Sequence, residues 1–141
     1  MFQQMPTDGT AANELERKIG IFESQRIVAS FGKYLFKRYW GRYVAFLRDA
    51  TGVSQSIVRD PAGHLPCQYM NYQGVLIIFS SIANLEHILP MDFAVNWSFV
   101  EAWILNPFIH CPQTGLEGVF ELCAGHCLNV SQNTSSTYQL W

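Results

Sequence analysis

The stretch "IVRDPAGHLPCQYMNY", Ile57 to Tyr72, decides the fold class of this chain. It reads as the end of one strand, a tight turn, and a second strand. β-Branched and aromatic residues suit the two strands, whereas Asp60, Pro61 and Gly63 between them each have a turn mechanism. A short side-chain carboxylate accepts backbone N–H bonds within a turn, proline presets φ, and glycine permits positive φ. On this reading Arg59, Asp60, Pro61 and Gly63 form a structural motif, and no catalytic role is assigned to them.

Working outward, "RYVAFLRD" and "SQSIVRD" precede the turn and "CQYMNY" and "VLIIFSS" follow its start, with turn residues in every gap. That spacing predicts an antiparallel meander. The period then changes. Ser81 to Leu89 and Val95 to Leu105 read as helices, each followed by a proline at Pro90 or Pro107, and the second offers Val95, Phe99, Ala102 and Trp103 as a buried stripe. The tail returns to strands at Gly118–Cys123, His126–Ser131 and Thr137–Trp141. Toward the N-terminus, Leu15 to Tyr39 carries apolar residues at helical spacing and breaks, if anywhere, near Gly32, while Met1 to Asn13 reads as a loose arm. Strands first and helices after, with no βαβ alternation, predict an α+β fold.

Composition narrows the classes of function. With 141 residues the chain accommodates one compact domain. Charged residues make up only 14% against 49% apolar ones, well under the roughly 25% charged of ordinary domains, so much of the surface is expected to be covered by a core or a partner. A net charge of −2 supplies no basic field for phosphates, and nucleic acid is not expected as a partner. No apolar run reaches the roughly 20 residues a spanning helix needs, so no membrane is expected. The first residues lack the basic-then-apolar order of a signal peptide, and the expected compartment is the cytoplasm, with Cys67, Cys111, Cys123 and Cys127 as reduced thiols.

The order of segments then points to a family. "RYWGRYVAFLRD", "VRDPAGHLPCQY", "GVLIIFSSIANLEHIL", "LEGVFELCAGHCLNV" and the terminal "YQLW" together resemble the glutaminase-type N-terminal domain of asparagine synthetases. They resemble most closely the asparagine synthetase-like cyclases of lasso-peptide clusters. The resemblance covers about Val28 to Trp141, so residues 1–26 are read as a loose arm and helix start and residues 27–141 as the glutaminase-like domain. It implies an N-terminal-nucleophile (Ntn) hydrolase-like α+β fold, stacked antiparallel sheets with flanking helices, here truncated at the N-terminus.

The resemblance also implies a chemistry. In the intact family a cysteine at the mature N-terminus attacks the glutamine side-chain amide with help from its own α-amino group, and ammonia passes to an ATP-using domain. In this chain residue 2 is Phe2 and no cysteine precedes Cys67. The segment that would carry the glutamine-binding groups and the ATP pyrophosphatase motif are both expected to be missing. The reading is therefore a non-catalytic domain that docks with an ATP-dependent synthetase or cyclase in trans, with no cofactor. Sheet edges exposed by the truncation would favour a homodimer.

Two rival constellations remain. His110, Cys111, Cys123, His126 and Cys127 are ligand types for a tetrahedral zinc site in a small structural protein. A residual glutamine amidotransferase is the other alternative. Cys67 with His64 as nucleophile and base lacks a local third group to orient the imidazole.

Overall fold

The computed structural model of the chain describes residues 2–4, 19–86, 88–90, 92–107, 111–131 and 134–141. In chain order the elements are β1 (Phe2–Gln4), α1 (Ile21–Ala29), α2 (Lys33–Arg38), β2 (Tyr39–Gly41), β3 (Val44–Arg48), β4 (Ser54–Arg59), β5 (Gln68–Tyr72), β6 (Val75–Phe79), α3 (Ala83–Glu86), α4 (Trp97–Leu105), β7 (Val119–Glu121), β8 (His126–Ser131) and β9 (Thr134–Gln139). Helices accompany sheets whose strand pairs are all antiparallel, so the fold is α+β. The chain divides into two compact units, Met1–Leu65 with Ala124–Trp141, and Pro66–Cys123.

In the first unit the sheet order is β3-β4-β8-β9. Val58 pairs with Ala45 on one side and with Cys127 on the other, which places these three on one face. That face meets Ile27 of α1 and Leu35 and Phe36 of α2, with Tyr39 and Tyr43, in a single apolar core. Each fully buried aliphatic side chain contributes about 1.5–3 kcal/mol to such a core. The expected helix from Leu15 to Tyr39 breaks where the sequence allows it. Phe31 and Gly32 have φ of 49° and 86°, and a Cβ on Gly32 would stand 2.5 Å from a Val58 methyl. Only glycine lets the chain turn there against the sheet. Residues 15–18 lie outside the described ones.

Three expectations need correction here. Phe2–Gln4, read as part of a loose arm, pairs with Tyr39–Gly41, because an extended tripeptide satisfies the free backbone groups of a short strand. β9 begins at Thr134 instead of Thr137, since Ser131 pairs directly with Thr134 and serine and threonine are tolerated on an edge strand. The predicted meander is two hairpins in different sheets. β3 and β4 form one, β5 and β6 the other, and β4 takes β8 as its second neighbour in place of β5.

The second unit is built on a sheet of order β6-β5-β7. Met70, Phe79, Leu85 and Val119 form its core. Asn71 Oδ1 accepts the N–H of Gly74 at 3.0 Å and closes the β5–β6 turn. The side chain of Asn96 caps α4 by accepting the N–H of Phe99 at 3.2 Å. The expected buried stripe of α4 is absent among the described residues, and none of its side chains is fully buried. Val95 instead bridges Leu116 ahead of the helix, and Trp103 is half-exposed.

Candidate functional site

The turn that ends β4 is tied together by side-chain and backbone hydrogen bonds. The Asp60 side chain has no solvent exposure. Its Oδ1 accepts the N–H groups of Ala62 at 3.0 Å and Gly63 at 2.9 Å. Its Oδ2 accepts the N–H of Tyr43 at 3.4 Å. Its main chain extends the network, with its N–H donating to Tyr43 O and its carbonyl accepting from Gly63 and Gly125. A buried carboxylate is tolerated when its lone pairs meet donors in this way.

Arg59, also buried, donates from Nη2 to the carbonyl oxygen of Gly63 at 2.7 Å. Gly63 has φ of 62°, and a Cβ there would stand 2.8 Å from that of Ala124. The turn 60–63 thus nests against the Ala124-Gly125 turn between Cys123 and His126. The sequence identifies both turns but carries no local signal that they meet, and the part of Tyr43 is invisible in it for the same reason. Tyr43 sits in the core with its phenol pushed above the ordinary tyrosine range, first by burial and second by the Asp60 charge.

What this arrangement can do chemically follows from its occupancy. Asp60 spends its acceptors on backbone donors, and His64 Nδ1 stands 3.8 Å from Oδ1, beyond hydrogen-bond length. His64 is half-exposed, and the Asp60 carboxylate is engaged by the backbone donors of its own turn. Arg59, Asp60, Pro61 and Gly63 come together as one turn. The remaining sequence candidates are dispersed. The Cys111 thiol is 3.9 Å from Gln113 O and the Cys123 thiol 4.0 Å from Glu121 O. His126 Nδ1 lies 2.9 Å from Ala124 O.

Cys127 is fully buried in the first unit's core, and burial pushes its thiol above the ordinary range against the lowering effect of Tyr138 and Ser56. Metal ligation needs the thiolate, which this setting disfavours. Among the described residues no three His, Cys, Asp or Glu side chains gather where they could hold a metal ion. His110 lies outside the described residues. Also among these residues, no helix is long and apolar enough to cross a membrane.

Residues 25–141 match the family model described as a glutamine amidotransferase domain. The chain belongs to that family. No curated protein matches it. The glutamine amidotransferase match starts inside α1 and runs through β9, so the second compact unit, the four-stranded sheet of the first and the Arg59–Gly63 turn fall within the family's span.

Proposed function

We propose that this glutamine amidotransferase-family chain does not hydrolyse glutamine and acts as the docking half of an asparagine synthetase-like, ATP-dependent amide-forming system. The observation that carries the reading is the state of the thiols. Each of the four cysteines is joined through its nitrogen to a preceding residue. Within residues 1–141 none of them presents a free amine beside its thiol, the pairing an N-terminal nucleophile uses. Cys67 and Cys127 are in addition buried. The amide-forming chemistry then belongs to the partner, which activates a carboxylate as its adenylate with release of pyrophosphate and lets an amine displace AMP.

Support for docking comes from α4. Trp97, Ile104 and Leu105 of this nine-residue helix are 72%, 70% and 82% exposed, and Glu101 is its one charged residue. Aromatic, charge-poor surface of this kind is typical of the centre of protein interfaces. The test has two arms. Purified chain incubated with glutamine releases no glutamate above the buffer blank, and turnover would overturn the non-catalytic reading. The tagged chain retains a protein with an ATP pyrophosphatase signature from its host, and failure to bind such a protein when both are purified would overturn the docking reading.

A further inference from the structure

The outer edge of β3 carries an interaction surface. Among the described residues β3 hydrogen-bonds with β4 alone, so its second row of N–H and C=O groups faces outward. The sheet's other outer strand, β9, is protected by composition, since its Thr-Ser-Ser-Thr start is polar and exposed. β3 carries one charged residue, Arg48, at its end. It reads Val-Ala-Phe-Leu-Arg, and its central Phe46 is 67% exposed. Beside it lies an apolar groove of about 430 Å³, lined by Ile27, Val28, Leu35, Ala45 and Leu47 among others.

We propose that a second copy of this chain occupies this edge, with β3 pairing antiparallel against β3 about Phe46, so that two four-stranded sheets join into one. The register follows from symmetry. A two-fold axis normal to a sheet keeps each residue on its own face, so the axis must pass beside a residue that pairs with its own counterpart. Centring on Phe46 uses the whole of Val44–Arg48. Centring on Ala45 sets Arg42 against Arg48, and centring on Leu47 sets Phe46 against Arg48 and shortens the paired strand. The Phe46 register gives an aromatic cross-strand pair at the axis.

Side chains and charges fit the same register. Leu47 of each copy falls beside the small Ala45 of the other, on the face where the groove lies. Asp49 of each copy ends up opposite Tyr43, at the point where the other chain enters β3 through the exposed Arg42. The two Arg48 side chains are kept about 13 Å apart along the strands, beyond a Debye length at physiological salt. The inference concerns a different surface from α4 and stands whether or not the chain hydrolyses glutamine.

Sedimentation equilibrium from about 1 µM to about 1 mM spans the affinities of an interface this small. The weight-average mass is expected to rise from 16.1 kDa toward twice that value. Phe46→Lys, at an exposed position, is expected to hold the chain monomeric with an unchanged circular dichroism spectrum. Phe46→Cys is expected to form a covalent dimer on mild oxidation, because paired Cα atoms about 4.5–5.5 Å apart suit a disulfide. Val44→Cys alone, with its two copies on opposite sides of the axis, is expected to form none beyond the wild-type background. A monomer at every concentration would overturn the proposal. So would a dimer that survives Phe46→Lys, or one in which Phe46→Cys fails to cross-link.

Discussion

The guanidinium of Arg59 donates to the carbonyl oxygen of Gly63 at 2.7 Å, so the last residue of β4 holds the far end of the turn that follows it. The same glycine takes two bonds from the opposite side, its N–H meeting both the side chain and the carbonyl oxygen of Asp60. The Arg-Asp-Pro-x-Gly motif is thereby a closed knot of backbone and side chain.

Gly63→Ala tests the knot at its tightest point. A methyl group there meets Ala124 at 2.8 Å and requires an L-residue at φ of 62°. The left-handed backbone alone costs about 1–2 kcal/mol, and the contact adds to it. The variant is expected to unfold in denaturant with a loss of about 2 kcal/mol or more. An unchanged midpoint would mean that the two turns separate freely.

Asp60→Asn and Asp60→Ala separate the carboxylate's charge from its acceptor role. Asparagine keeps one acceptor oxygen for Ala62 and Gly63 but turns donor atoms toward the Tyr43 N–H. Alanine removes the side-chain acceptor of the Ala62 and Tyr43 N–H groups and one of the two acceptors of the Gly63 N–H, and a lost acceptor costs about 1–3 kcal/mol where the donor is left buried and unsatisfied. Denaturant midpoints are expected in the order wild type, Asn, Ala. Alanine equal to wild type would show that water replaces the carboxylate without loss.

Much of this architecture is legible in the sequence, for physical reasons. β-Branched and aromatic runs such as Ser54–Arg59 and Val75–Phe79 mark strands locally, and Asp60-Pro61-x-Gly63 marks its turn through φ preferences alone. Pairing is another matter. β4 chooses β8, far along the chain, over the neighbouring β5, and no local property of Pro61–Pro66 announces that the sheet ends there. The nesting of Gly63 on Ala124 is non-local in the same way. α4 misleads for a different reason. A helix apolar on nearly every face has no contrast by which periodicity could assign a buried side.

Alkaline conditions should weaken the fold. Tyr43 and Tyr138 are held well above the ordinary tyrosine range, chiefly by burial, and Cys127 above the ordinary thiol range for the same reason. In the unfolded chain the thiol ionises near pH 9 and the phenols near pH 10. Between those values and the raised native ones the native state binds more protons, so stability falls as pH rises. Stability is expected to be level up to about pH 8.5 and to decline above pH 9. Phenolate absorbance should report the buried Tyr43 ionising only together with loss of circular dichroism. All six tyrosines titrating smoothly near pH 10 in the folded chain would contradict the burial.

The tryptophans give α4 an optical readout. Trp40, Trp97, Trp103 and Trp141 are each half-exposed or more, and the chain contains four tryptophans. Its emission in isolation is therefore expected to lie close to that of indole in water and to be quenched readily by acrylamide. If α4 is the docking face, adding a purified ATP-dependent synthetase partner should shift the emission to the blue and protect part of it from quenching. Trp97→Phe and Trp103→Phe should each remove part of that shift, whereas Trp40→Phe and Trp141→Phe should leave it intact. Replacing Trp97 by alanine deletes one of the large exposed anchors, for which losses of about 2 kcal/mol or more of binding energy are characteristic, so a thirty-fold weaker complex is about what docking through this helix requires. Binding that leaves all four indoles unshifted, or an affinity indifferent to Trp97→Ala, would assign the partner to another face.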